Sequence, residues 1–211
     1  MTPAHVFAET NFLVSLFCMP SKRKRDALTL RERVRVGEIK LYIPYLCFQE
    51  ARHHISKSLP SRRCMDLLEF HAFAETNGKA NWNFDEVKKL FDAAMGEVSR
   101  TKAVYQRELT DFADTLGDGI LHADRSVFDF LEMLDLDDDT LEYNDKLILS
   151  SVLVKAKELR GSGKHPLYFV SLDKKDLQPT AHRPKMTRHY DEADLTFVSS
   201  FVLPDTQAPS M

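Results

Sequence analysis

Short apolar runs alternate with longer amphipathic segments along the chain, and this alternation limits the folds open to it more than any other feature. Helical patterns lie between the apolar runs, which are too short to be helices and are typical of buried strands. Strands separated by helices predict a parallel sheet with right-handed crossovers, and therefore an α/β fold. The predicted strands are His5–Ala8, Lys40–Ile43, Leu167–Ser171 and Leu195–Val202.

Helical spacing and helix-ending residues define the connecting segments. Asn11 is predicted as the N-cap of the first helix. No convincing strand is visible between Arg62 and Leu136, so residues 62–136 are predicted as a helical insertion within one domain of residues 1–203. Residues 204–211 are polar and interrupted by proline, and we expect a loose tail. The predicted helices are Phe12–Cys18, Leu28–Val36, Tyr45–Ser58, Asp85–Leu116, Arg125–Leu134 and Lys146–Leu159.

The charge and cysteine content exclude some classes of protein. Twenty-nine Lys and Arg residues against 32 Asp and Glu give a net charge of -3, which argues against a polycation that coats nucleic acid. Three cysteines without a C-x-x-C pair predict a reducing, cytoplasmic location. No uninterrupted apolar run reaches membrane-spanning length, and the N-terminus lacks the features of a signal peptide, so we expect no membrane association.

Four carboxylates follow strands or begin helices at places that share one edge of the predicted sheet. They are Glu9, Glu50, Asp145 and Asp173. Sites in open α/β sheets form outside the carboxyl ends of the strands, so these side chains could converge there. Taken singly, Asp145 and Asp173 could also be helix caps, and Glu50 could be a solvated charge. Glu9 stands between two apolar segments, and a buried charge needs a partner.

Four segments resemble, in order, the conserved blocks of PIN domains. The first is an apolar strand followed by Glu9-Thr10-Asn11, and the second is a helix that carries Glu50 after a strand. The third is Asp145 at the opening of an apolar helix, and the fourth is a strand followed by Ser171-Leu172-Asp173. This resemblance implies a metal-dependent endoribonuclease with Mg²⁺ or Mn²⁺ bound by Glu9, Glu50, Asp145 and Asp173. It further implies that Asn11 and Ser171 orient these ligands or a water.

The same resemblance suggests the partners. RNA is the implied substrate, and Arg52, Lys174 and Lys175 lie close enough in sequence to the predicted acids to contact its phosphates. Proteins of this family are often dimers, and small ones resemble the toxins of toxin–antitoxin pairs, so a homodimer and an antitoxin-like protein partner are expected possibilities. The large helical middle is untypical of a small toxin.

Glu9 departs from the family pattern, in which the first acid is usually Asp. Its extra methylene moves the carboxylate by about 1.5 Å, one bond length. Mg²⁺ requires near-ideal octahedral geometry, so this shift would change the metal preference or weaken activity. The alternative hypothesis is therefore a PIN-like scaffold with little or no activity that binds RNA or a protein.

Overall fold

The computed structural model describes residues 3–17, 23–58, 84–137, 141–163 and 165–204, together with Glu69 and Thr76. The predicted end of the first helix at Cys18 lies outside these residues. Residues 62–83 of the predicted insertion, apart from Glu69 and Thr76, also lie outside them. The same is true of residues 205–211 of the predicted tail.

A five-stranded, all-parallel sheet forms the centre of the structure and confirms the predicted α/β class. The strand order is β3-β2-β1-β4-β5, so the central strand β1 has β2 on one side and β4 on the other. Every residue of β1 is buried, because helices cover both faces of a parallel sheet. The strands are β1 (Ala4–Ala8), β2 (Ile39–Pro44), β3 (Ile120–Leu121), β4 (Leu167–Val170) and β5 (Leu195–Val198).

Seven α-helices are present in the described part of the chain, and none of them is both long enough and apolar enough to cross a membrane. Long helices follow β2 and precede β4, as the sequence predicts. The helices are α1 (Thr10–Phe17), α2 (Lys24–Arg35), α3 (Tyr45–Ser58), α4 (Phe84–Leu116), α5 (Arg125–Asp137), α6 (Tyr143–Ser162) and α7 (Pro184–Ala193).

The predicted start of the first helix was wrong by two residues. Helix α1 begins at Thr10, so Asn11 is already helical and is not the N-cap. The Glu9 carboxylate performs the capping role instead, because Glu9 Oε2 accepts a hydrogen bond from the Asn11 amide at 2.8 Å. Similarly, α2 begins at Lys24 rather than Leu28.

The prediction of no strand between residues 62 and 136 was also wrong. Ile120 and Leu121 form β3, which pairs in parallel with Ile43 and Pro44 of β2. The preceding helix α4 contributes Leu109 and Phe112 to the core, where Phe112 is 5% exposed. This part of the predicted insertion is therefore integral to the hydrophobic core.

The last strand ends earlier than predicted, at Val198 rather than Val202. The chain bends after β5, and this bend returns Phe201 and Leu203 to the core with 3% and 5% of their surface exposed. The apolar run therefore contains a strand and a buried segment that continues it.

Candidate active site at the carboxyl edge of the sheet

The strand order reverses direction at β1, and this reversal locates the candidate site. From β1 the chain crosses to β2 on one side, whereas β4 and β5 lie on the other side. The connections that leave β1 and β4 therefore diverge, and they open a crevice outside the carboxyl ends of these two strands. Glu9 directly follows β1, and Ser171 directly follows β4. The Ser171 hydroxyl donates a hydrogen bond to Glu9 Oε1 at 3.2 Å across this crevice.

Glu9 is almost fully buried and both of its carboxylate oxygens are engaged by donors of the protein. Its exposed fraction is 4%. Oε2 accepts from the Asn11 amide, and Oε1 accepts from Ser171 and from the Leu172 amide at 3.3 Å. Burial raises the pKa of Glu9, and the hydrogen bonds from Asn11, Leu172 and Ser171 oppose that rise. The carboxylate thus joins the start of α1 to the end of β4.

Glu50 lies in the second turn of α3 and connects three helices. One of its oxygens, Oε2, accepts a hydrogen bond from the Thr10 hydroxyl at the start of α1. The other, Oε1, accepts from the Asn144 side-chain amide at the start of α6 at 2.9 Å. The sequence predicts Glu50 as a site residue but gives no signal for these two partners, which lie 40 and 94 residues away.

Asp145 lies in the first turn of α6 and is only partly exposed. Desolvation by burial, together with the negative charges of Asp173, Asp176 and Glu50, raises its pKa to about 6. Glu142, on the same connection, adds a smaller contribution. Asp145 therefore experiences the field of several acids that converge on this edge from three parts of the chain.

Asp173 and Asp176 are arranged by the turn that follows β4. The Asp173 amide donates to Ser171 Oγ at 2.9 Å, and Asp173 Oδ1 accepts from the Asp176 amide at 3.0 Å. Asp176 is partly buried, and Arg183 Nη2 lies 3.9 Å from its Oδ1. Asp176 was not among the predicted site residues, although its position three residues after Asp173 was a signal for it.

Of the predicted phosphate-binding cations, Lys174 and Lys175 directly follow Asp173, whereas Arg52 lies two residues after Glu50 on α3 and faces a different side of that helix. Arg52, Lys174 and Lys175 are exposed, and Lys175 Nζ lies 3.8 Å from Asp176 Oδ1. Beside Glu50, an open groove of about 500 Å³ extends along α3. It adds basic and imidazole side chains that were not among the predicted site residues, namely His53, His54 and Lys57.

The side chains at this edge carry the oxygen donors that hard divalent cations prefer, but their present positions do not form a metal site. Among the described residues, no group of three or more His, Cys, Asp or Glu side chains lies close enough together to hold a metal ion. The available donors are carboxylate oxygens, which Mg²⁺ and Mn²⁺ prefer. The charges of Asp173, Asp176 and Glu50 raise the pKa of Asp145, so these four acids are the carboxylates that would hold such an ion. Glu9, also predicted as a ligand, uses both oxygens within the protein.

Comparison of the chain with models of known protein families gives no match. Comparison with curated proteins gives no match either.

Proposed function

We propose that the protein is a PIN-like, metal-dependent endoribonuclease whose site is the acidic carboxyl edge of the sheet. The observation that carries this proposal is the raised pKa of Asp145 among neighbouring acids. Its pKa of about 6 reflects burial and the charges of Asp173, Asp176 and Glu50 at the switch point of the strand order. Structural acids are generally paired with cations, whereas this group is held among other acids. Such perturbed carboxylates in a crevice are typical of functional sites.

The excess negative charge explains why a cation would bind there. Two carboxylates about 4 Å apart repel each other by about 4 kcal/mol at an effective dielectric constant of 20. A bound divalent ion removes this repulsion, so the acids that destabilise the free protein become ligands. When bound, Mg²⁺ or Mn²⁺ supplies an acidified water and a Lewis acid for the scissile phosphate.

The remaining side chains have defined supporting roles in this proposal. Thr10 and Asn144 fix the two oxygens of Glu50, so this carboxylate keeps one orientation. Ser171 links the Glu9 carboxylate to the Asp173 amide and sets the turn that presents Asp173. The exposed cations Arg52, Lys174 and Lys175 would attract the phosphates of single-stranded or structured RNA.

A scaffold that binds RNA or a protein without cleavage is the second candidate function. The observation that favours it is Glu9, whose two oxygens both accept hydrogen bonds from the protein and leave it a capping role. A homodimer and an antitoxin-like partner remain predictions under either function.

A cleavage assay with matched variants tests the proposal. A mixed RNA pool would be incubated with the protein in Mg²⁺, in Mn²⁺ and in EDTA. Asp173→Asn keeps the oxygen that caps the Asp176 amide but removes the charge. We expect cleavage to fall by about a hundredfold or more, because loss of groups that only orient metal ligands already costs up to about a hundredfold.

Asp194→Asn is the control for this assay. Asp194 precedes β5 and therefore lies at the opposite edge of the sheet, in a left-handed conformation with φ 53° that asparagine tolerates. This variant should retain the rate of the original protein. RNA binding without cleavage in any metal would reject the nuclease and support the scaffold.

A further inference from the structure

We propose that an apolar slot beside the acidic edge receives one nucleobase of the bound strand and thereby sets base preference. The slot lies where β2 and β3 end, because Pro44 and Leu121 both contribute to its wall. The rest of its wall comes from the first turns of α3, from α6 and from Ala123, which follows β3. This inference rests on the proposed function, since it assigns a subsite to the same RNA.

The size and lining of the slot fit a single heterocycle. Its volume is about 200 Å³. Pockets for drug-sized ligands begin near 300 Å³, so a whole nucleotide would not enter. Pro44, Leu46, Leu121 and Leu147 make most of the wall apolar. Ser151 contributes a hydroxyl oxygen, whose proton is donated to the Leu147 carbonyl at 2.8 Å.

An exposed aromatic pair stands at this slot. Tyr45, which lines it, is 41% exposed, and its ring stacks on the exposed His122 ring with centroids 5.2 Å apart and planes 29° from parallel. Large aromatic rings are usually buried, whereas rings left at the surface next to a site for nucleic acid are typical stacking platforms for bases. The Tyr45 ring is therefore the surface on which the base would stack.

Gln49 connects the slot to the acidic edge. It lines the slot and also lines the groove that contains Glu50, Thr10 and Asn144. A strand whose phosphate lies near Glu50 can therefore direct a neighbouring base into the slot. The Gln49 amide offers both a donor and two acceptor lone pairs to the edge of that base. This adjacency favours a nucleobase over the side chain of a protein partner.

Binding of labelled single-stranded RNA octamers by the full chain tests the assignment. Uridine and adenosine octamers would be compared with an abasic octamer by fluorescence anisotropy. Ca²⁺ would replace Mg²⁺, because it also neutralises carboxylates but accepts looser geometry. Stacking of one base contributes about fivefold to 150-fold in affinity. We expect at least one base-bearing octamer to bind about tenfold or more tightly than the abasic one.

Three tyrosine variants locate the effect. Tyr45→Ala should reduce the preference over the abasic octamer to about twofold, whereas Tyr45→Phe, which keeps the ring, should retain it within about threefold. Tyr143→Ala removes a ring that is 59% exposed and does not line the slot, so it should leave the preference unchanged. Melting temperatures of all variants would establish that each is folded.

The outcomes separate the slot from the nuclease proposal. The assignment would be overturned if the original protein bound all octamers equally, or if Tyr45→Ala kept the preference over the abasic octamer. The slot would then be a site for a side chain of a protein partner. An equal loss in Tyr143→Ala would overturn the assignment too, since stacking would then belong to the general surface. Metal-dependent cleavage without base preference rejects the slot alone. Base preference that depends on Tyr45, without cleavage in Mg²⁺ or Mn²⁺, supports the slot and rejects the nuclease.

Discussion

Replacing Asp145 by asparagine should stabilise the metal-free protein at neutral pH. In the native state Asp145 has a pKa of about 6, against 3.8 for an ordinary aspartate. A shift of this size corresponds to about 3 kcal/mol of destabilisation once the carboxyl group is ionised. Because Asp145 is partly exposed, solvent screens much of this cost, and we expect about 1 kcal/mol. For a domain of this size, that is a rise of about 2–4 °C in melting temperature.

The pH dependence of this effect gives its sign and its window. Between pH 3.8 and about pH 6, native Asp145 retains a proton that the unfolded chain has lost. Stability therefore falls as the pH rises through this window, and the full cost is present above about pH 6. Asp145→Asn removes the ionisation, so the variant should match the original protein near pH 4 and exceed it at pH 7.5.

Urea unfolding in EDTA at four pH values between 4 and 7.5 measures the difference. Glu108→Gln, an exposed acid on α4, is the control and should change the free energy of unfolding by less than about 0.5 kcal/mol at every pH. An Asp145→Asn variant that is less stable at pH 7.5, or whose difference from the original protein does not vary with pH, would refute the account of the acidic edge.

Three further predictions concern the metal, the buried acid and two glycines. Mn²⁺ at a hundred times its dissociation constant should add about 2.7 kcal/mol of stability, and equal melting temperatures in EDTA, Mg²⁺ and Mn²⁺ would reject a metal site. Glu9→Gln should lower the free energy of unfolding in urea by about 1–3 kcal/mol, because the new amide NH₂ would face one of the donors whose hydrogen bond the carboxylate accepts. An unchanged midpoint would reject the capping role. Gly119→Ala should lower the free energy of unfolding by about 1–3 kcal/mol, since a Cβ there would overlap the Leu41 carbonyl oxygen. Gly96→Ala in α4 has free space and should raise the free energy of unfolding by about 0.5–1 kcal/mol. Thermal melts that reverse this order would contradict the packing beside β2.

The sequence predicts the main strands well because each is a run of buried apolar residues. Strand β4, for example, has almost the same bounds in sequence and in structure. Strand β3 was missed because it has two residues and directly follows a Gly-Asp-Gly turn, so it has no periodicity of its own. Its pairing with β2 depends on the tertiary position of α4, which local patterns do not encode.

The candidate site was predictable in place but not in its contacts. Strand ends located Glu9 and Asp173, and helix starts located Asp145, because parallel strands share one carboxyl edge. The partners of Glu50 were not predictable, since Thr10 and Asn144 reach it only after three helices pack together. The same holds for Glu9, whose burial was expected but whose donors are mostly backbone amides and carry no sequence signature.

The central position of β1 also sets the order in which the chain can fold during synthesis. His5 of β1 pairs with Leu167 of β4, so one edge of β1 stays unpaired until a strand 162 residues later in the chain has been synthesised. At about 5–20 residues per second, translation takes about 8–30 s to supply it. Such non-local pairing is slow even in the finished chain. Asp173 and Asp176 follow β4 directly, so the nascent protein completes its acidic edge only after β4 has been synthesised.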